Sequence, residues 1–323
     1  MPSVGFRLNR RRFLATAAGS GAALTAPFVL PGRVLGMDGA VAPSERIVLG
    51  AIGLGGRGTG DLQSFINNAD VQFVAICDVR RERREAIKKI ADSRYGNSDC
   101  AMYRNMHEVL ARPDIDAMLI ATGDRWHAMA SIIACKAGKD VYSEKPCSTT
   151  IAESQALADT YRKYGRIYQA GTQRRSIGNF IFAAELVATG KLGKLHTVHA
   201  NTLPPATKHT WLPAEPEPSA DEVDWNRWLG PCPWRPYNSQ YVRGRWRGFF
   251  DFHGGGILEW GAHTVDLCQW AAQKDHTTPV EYVPEGNGVN ATYDDGLKLV
   301  MRDRDSGWMG LGTCSVRYEG DEG

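Results

Sequence analysis

Two stretches of this 323-residue chain hold residue types suited to moving a hydride and a proton. The first is Gly53-Leu54-Gly55-Gly56-Arg57-Gly58, with Asp78 further on. In a G-x-G-x-x-G turn between a strand and a helix, Gly53 permits the tight turn, Gly55 lets the backbone approach a pyrophosphate, and Gly58 allows close helix–strand packing. The helix N-terminus adds N–H donors and positive dipole for phosphates. Asp78 can accept hydrogen bonds from the adenosine ribose hydroxyls and would repel a 2′-phosphate, which favours NAD. Arg80 and Arg81 follow closely and blunt that preference, so NADP stays open. The second stretch supplies proton chemistry. Oxidising an alcohol removes a hydride from carbon and a proton from oxygen; a nicotinamide takes the hydride and a protein group must take the proton. Lys145 is one candidate, because a partly buried amine beside a cationic ring can work as a base or hydrogen-bond the reacting hydroxyl. His263 is the other, since imidazole titrates near neutrality. Glu259 lies four residues before His263, so on a continuous helix the two share a face and the carboxylate can orient the imidazole.

These residues need a frame. Residues 47–52 read as a buried strand, 61–69 as a helix and 71–77 as a second strand ending at Asp78. Helical patterns at 81–93, 127–138 and 151–164 then alternate with strands at 116–121, 140–143 and 166–170. Such alternation implies a parallel, doubly wound sheet with its ligand beyond the carboxyl ends of the strands. The later half changes character. A helix at 180–190 and a strand at 194–201 lead into a segment holding half of the 16 prolines (204–236) and five of the nine tryptophans (211–246), which predicts a long ordered loop. A helix at 261–273 and strands at 280–283, 297–301 and 308–316 follow. The expected fold class is therefore α/β. An N-terminal Rossmann domain (43–171) precedes a C-terminal α+β domain (172–323) with a mainly antiparallel open sheet.

Composition limits the function. At 43% hydrophobic and 23% charged the chain is globular, not disordered. Residues 1–36 hold five arginines and no acid, leaving the remainder net acidic, with 33 basic against 36 acidic residues. A nucleic-acid binder working through a basic surface is thereby disfavoured. Seven cysteines without a CxxC pair argue against a disulfide framework or zinc cluster, and no metal is expected. Asn9-Arg10-Arg11-Arg12-Phe13-Leu14, followed by a short weakly apolar run, resembles a twin-arginine export signal over 1–42. It implies export, for example to the periplasm, of an already folded and cofactor-loaded protein, with no stable membrane span in the mature chain.

Glu144-Lys145-Pro146 after a strand, together with the glycine turn and Gly254–Asp266, resembles the glucose–fructose oxidoreductase/inositol dehydrogenase/MocA-like family. The resemblance spans 47–323 and places Lys145 and His263 on catalytic positions, with Glu259 where the family usually has Asp. Thr122-Gly123-Asp124-Arg125-Trp126-His127 resembles the family's segment beside the nicotinamide, with Gly123-Asp124 in the region of its usual proline. Thr122, Trp126 and Glu144 join Gly53, Gly55, Gly56, Arg57, Gly58, Asp78 and Lys145 as cofactor-binding candidates. His127 contacts the nicotinamide or caps the next helix. Gln173 and Arg174 bind substrate or form a solvated basic face. Asp266 orients a catalytic group or lies on the helix surface.

Rings such as Trp211 and Trp246 suit the C–H faces of a sugar, and His253, just before the glycines, is a further candidate. The resemblance implies a carbohydrate or polyol substrate and a homo-oligomer (dimer or tetramer) joined through the second sheet. Family members usually continue with more strands, so the chain is expected to be incomplete at its C-terminus. The resulting function is a hydride transfer between a tightly bound NAD(P) and a hydroxyl of a sugar, sugar derivative or cyclic polyol. The alternatives are a redox-neutral glycosidase or epimerase working through a keto sugar, and a non-catalytic sugar-binding protein on the same scaffold.

Overall fold

The computed structural model describes Met37 and residues 41–203, 206–286, 288–302 and 314–323. The twin-arginine segment lies outside the described residues. Before Ile47, a single turn at Pro43–Glu45 is followed by Arg46, whose guanidinium donates to the Val41 carbonyl at 3.0 and 3.1 Å. Residues 47–323 form one body.

Its first sheet consists of β1 (Ile47–Ile52), β2 (Val71–Cys77), β3 (Ala101–Tyr103), β4 (Ala117–Ile120), β5 (Asp140–Ser143) and β6 (Tyr168–Ala170). The order is β3-β2-β1-β4-β5-β6 and every pair is parallel. Both faces are covered, which explains the near-continuous apolar strands. Leu49, Ala51, Phe73 and Leu119 pack on one side, and Met118, Ile120, Val141 and Tyr161 on the other. The intervening helices are α1 (Gly56–Ile66), α2 (Arg81–Tyr95), α3 (Met106–Leu110), α4 (Asp124–Lys136) and α5 (Ile151–Tyr164). Their ends follow local chemistry. Thr150 and Glu153 close a capping box at α5, while Gly96 and Gly165 end α2 and α5 in the left-handed conformation. The strand order reverses between β1 and β4, so their carboxyl ends diverge and open a crevice.

After α6 (Gly178–Ala188) the second sheet contains β7 (Leu195–Asn201), β8 (Glu281–Glu285), β9 (Gly288–Thr292), β10 (Lys298–Arg302) and β11 (Val316–Gly320). Its order is β11-β7-β10-β9-β8, antiparallel except for β10 beside β7. Helix α9 (Gly261–Ala271) lays Leu267 and Cys268 along the sheet; Cys268 joins Val198, Ala200, Ala291 and Leu299 in one buried cluster. The mixed, mostly antiparallel sheet matches the expected class.

Several boundaries differ from the sequence reading. Helix α1 starts at Gly56, not 61, because glycines that read as turn already belong to its first turn. β3, α3 and β9 were not foreseen; each is short, and β9 buries only Ala291. Most of the strand expected at 308–316 falls on residues outside those described, and the observed strand begins at Val316.

The tryptophan-rich segment is largely irregular, as its prolines predict. Its regular pieces are α7 (Trp225–Leu229) and a turn at Tyr241–Arg245. It has its own core of Trp225, Trp228, Tyr241, Phe249 and Phe252, with Trp225 stacked on Trp228 at 4.8 Å. The segment docks on the first domain. Asp224 N–H donates to Val79 O at 3.0 Å, Arg80 to Val242 O at 2.7 Å, and Arg125 twice to Trp228 O at 2.7 and 3.0 Å.

Candidate active site

A cleft of about 640 Å³ lies at the carboxyl ends of β1, β2 and β4, between the glycine turn and the docked segment. Gly53 has φ +72°, and a Cβ there would lie 2.4 Å from Thr122 Cγ2. At Gly58 a Cβ would meet Ala121 and Leu54 at 2.6 and 2.7 Å, whereas Gly55 and Gly56 face open space. Backbone is therefore bared at Gly55 and Gly56 and pressed into its neighbours at Gly53 and Gly58, which is the division of labour a pyrophosphate cradle requires. Asp78 stands at the far end with Oδ1 accepting from Arg80 N at 2.9 Å, and burial pushes its carboxyl up to about 6. These features fit a bound dinucleotide.

Thr122, Trp126 and Trp246 also line this cleft, with Arg57 and Arg247. Trp126 donates its indole N–H to Arg227 O at 3.0 Å. Trp246 lies under Arg247, 4.5 Å from its guanidinium carbon. Lys145, at the end of β5, donates from Nζ to the main-chain carbonyl of Glu259 at 2.8 Å, so the two domains meet at this amine. His263 is 5% exposed and, among the described residues, its Nδ1 has no hydrogen-bond partner. Burial, helped by Lys145 and Arg174, lowers its pKa to about 4, so the ring is neutral near pH 7.

Other candidates have different roles from those expected. Glu259 does not orient His263. The helix breaks at Trp260, and the carboxylate turns to Arg247 (3.0 Å) and His253 (3.3 Å). Those partners pull its pKa down to about 2, the His253 hydrogen bond contributing most. Glu144 is 4% exposed and is not among the residues that line the cleft; it accepts from Arg57 Nε at 2.9 Å, from Gln173, and from Lys145 N–H at 3.1 Å. Gln173 spends its amide nitrogen on Glu144 and Tyr142, which leaves its carbonyl oxygen as the group that could meet a substrate. Arg57 also pairs with Asp61 at 2.7 Å; burial and the nearby Glu144 push the Asp61 carboxyl up to about 7.

His127 neither caps a helix nor lines the cleft. It is the fourth residue of α4, and its Nδ1 hydrogen-bonds Pro146 O at 2.7 Å, tying down the residue that follows Lys145. Asp266 forms a two-toothed pair with Arg175 at 2.7 and 2.9 Å, away from the cleft. Trp211 is 45% exposed and lies over Arg235, also outside it. Arg174 lies near His263, with its guanidinium 5.8 Å from the Phe180 ring centre.

Two residues gain weight from the structure. His253 is 4% exposed and lies between Glu259 and Asp124, whose Oδ2 is 3.8 Å from His253 Nε2. Asp124 is 5% exposed, its Oδ2 has no hydrogen-bond partner among the described residues, and burial raises its pKa. The signal for both was adjacency: His253 precedes the glycine run, and Asp124 stands in the segment that resembles the nicotinamide contact. All seven cysteines are free thiols. Among the described residues, no cluster of His, Cys, Asp and Glu is placed to hold a metal, and no helix is long and apolar enough to cross a membrane.

Comparison with known proteins agrees with this architecture. The chain is 31% identical over 159 residues to the myo-inositol 2-dehydrogenase of Thermotoga maritima, covering 49% of this chain and 46% of that enzyme. It is 24% identical over 254 residues to the inositol 2-dehydrogenase of Salmonella typhimurium, covering 78% and 62%. It thus spans roughly half to three-fifths of the length of these curated relatives. Among solved structures, the WlbA dehydrogenase from Bordetella pertussis, in complex with NADH and UDP-GlcNAcA, superposes with a TM-score of 0.61 at 18% identity, covering 86% of this chain and 72% of that one. The myo-inositol 2-dehydrogenase from Lactobacillus plantarum gives 0.59 at 20% identity, covering 86% and 75%. These two likenesses show the shared fold. Residues 47–172 match the oxidoreductase family's NAD-binding Rossmann fold and residues 184–306 its C-terminal alpha/beta domain, so the chain belongs to the Gfo/Idh/MocA oxidoreductase family.

Proposed function

We propose that this protein is an NAD-dependent oxidoreductase acting on a hydroxyl of a sugar, sugar derivative or cyclic polyol. In this reading it is exported by the twin-arginine route, works as a homo-oligomer and keeps its cofactor bound through the cycle. The observation that carries the reading is the position of Lys145. Its amine is fixed where the glycine-turn domain meets the second domain, with a neutral His263 nearby and one hydrogen committed to Glu259 O. The inositol dehydrogenases among its relatives support the substrate class.

Gly53–Gly58 and Asp78 would hold NAD, which supplies the hydride acceptor when bound. The chain's own work is proton handling and orientation. Lys145 receives the proton of the reacting hydroxyl as that carbon is oxidised. His263, uncharged above its lowered pKa of about 4, exchanges a hydrogen bond with a neighbouring hydroxyl. Arg247, half-exposed and lying over Trp246, offers donors at the cleft wall that the docked segment 206–252 forms.

The test uses protein purified natively without added nucleotide. Denaturing it and identifying released nucleotide by mass spectrometry should give near-stoichiometric NAD(H). A panel of inositols, aldoses and sugar acids should then change the fluorescence of the bound cofactor. Release of NADP(H) instead would overturn the reading of Asp78. A bound cofactor that no polyol or sugar reduces would overturn the substrate class.

A further inference from the structure

We infer that His253 is a positioning residue for Lys145, acting through Glu259. The inference rests on the proposed role of Lys145 and adds a residue that neither the glycine-turn motif nor the Glu-Lys-Pro motif contains.

Among the described residues, Lys145 Nζ has one protein acceptor, the carbonyl oxygen of Glu259 at 2.8 Å. In an unbroken helix that oxygen would accept from the N–H of His263. Here His263 N–H goes to Trp260 O at 2.9 Å, because the chain breaks between α8 (Gly256–Glu259) and α9. The break therefore frees a carbonyl for the amine. The direction of that carbonyl depends on where residue 259 sits. Its side chain fixes this, with Oε1 accepting from Arg247 Nε at 3.0 Å and Oε2 lying 3.3 Å from His253 Nε2.

Arg247 is half-exposed and can exchange its partner for water. His253 cannot, being buried and held from both sides. Its Nδ1 accepts two main-chain N–H groups, Gly248 at 3.1 Å and Gly255 at 3.0 Å. A ring nitrogen that accepts twice carries no proton, so the hydrogen is on Nε2, directed at Glu259. The ring thus couples the turn before α8 to the carboxylate at its end. The lowered pKa of Glu259 is consistent with this link. Gly255, at φ +86°, holds the turn in a shape that delivers its N–H to the ring.

The two nitrogens can be separated by substitution. His253→Asn keeps an acceptor near Nδ1 and loses the Nε2 donor. His253→Gln keeps a donor near Nε2 and loses the doubly bonded acceptor. The first readout needs no substrate: the rate at which an amine-directed reagent modifies Lys145 in the full chain with NAD bound, measured by peptide mass spectrometry against exposed Lys89. In the wild type Lys145 should react far more slowly than Lys89. In His253→Asn it should react about tenfold faster, the upper worth of one ordinary hydrogen bond. His253→Gln should return toward the wild-type rate.

NADH affinity should stay within about twofold, since His253 touches neither the glycine turn nor Asp78, and kcat should fall about tenfold with KM changed less. Wild-type Lys145 reacting as fast as Lys89 would overturn the inference whatever the variants do. So would a His253→Asn protein with wild-type labelling and kcat, which would leave the histidine as a loop anchor only. If labelling follows the expected pattern while no polyol or sugar is oxidised, the proposed function fails and the positioning stands.

Discussion

The cleft has two walls built in opposite ways. The glycine-turn wall is backbone: Gly55 and Gly56 leave open space where a side chain would be, and Gly53 and Gly58 leave none. The facing wall, residues 206–252, is held by side chains. Arg125 reaches Trp228 O, Arg80 reaches Val242 O and Trp126 reaches Arg227 O, all across sequence separations of more than 100 residues. A backbone wall needs only residue types that stay out of the way, at fixed spacing. A side-chain wall needs pairs that tertiary structure brings together. The first is rigid and intolerant of substitution, and the second is adjustable and fails in increments.

The largest effect should come from the amine where the domains meet. Lys145→Met keeps length and bulk but removes the proton acceptor. Turnover should fall about 10²–10⁴-fold with NADH binding unchanged, as read by steady-state rates beside a fluorescence titration. Retained turnover would move the chemistry to another group. Next is the backbone wall. Gly53→Ala forces a side chain onto φ +72° and places its Cβ 2.4 Å from Thr122 Cγ2. Strain and overlap together should cost about 2–4 kcal/mol. The loss should appear both as lower thermal stability and as lost NADH binding. Binding that survives would mean the turn can relax, and would weaken the contrast between the walls.

The same contrast explains what the sequence disclosed. The parallel half was legible because strands buried on both faces read as apolar runs and the glycine spacing fixes the turn. Segment 206–252 was legible as an ordered loop from its prolines, but not its partners, since nothing local ties Arg125 to Trp228. Glu259 and His263 show a second kind of failure. Spacing of four implies a shared face only on a continuous helix, and the break at Trp260 rotates the carboxylate toward His253. Glu144 suggests a cofactor ligand because it follows the carboxyl end of a strand, yet its carboxylate is taken by Arg57. Asp266 was drawn away by Arg175, a partner 91 positions earlier.

A third effect bears on the junction of the walls. Burial holds the His263 pKa near 4, below its ordinary 6.5. The unfolded chain takes up this proton first, so the stability tied to a neutral His263 is present above pH 6.5 and is lost as pH falls toward 4. The total is at most about 3 kcal/mol. Glu259 acts with the same sign at lower pH, between 4.5 and about 2. Asp61, pushed up to about 7, acts with the opposite sign, so the wild-type curve alone mixes them. The difference in urea-unfolding free energy between wild type and His263→Gln, measured at pH 7 and 4.5, isolates the histidine. That difference should shift by about 2–3 kcal/mol in favour of the variant on acidification. An unchanged difference would mean the imidazole is solvated.

The smallest effect is the most discriminating between the walls. Trp126 is clamped to the docked segment by one hydrogen bond, its indole N–H to Arg227 O at 3.0 Å, and by contact with Gly230, where a Cβ would lie 2.2 Å from the ring. Trp126→Phe keeps most of the ring and deletes the donor. Arg227 O lies at the surface and can turn to water, so the cost should be only about 0.5–1 kcal/mol. If the docked segment holds the dinucleotide in place, even this loss should speed NADH release about two- to fivefold, with the association rate little changed. Stopped-flow displacement of bound NADH reads that rate directly. Should release be unaltered while Gly53→Ala abolishes binding, the backbone wall alone retains the cofactor and the side-chain wall serves the substrate.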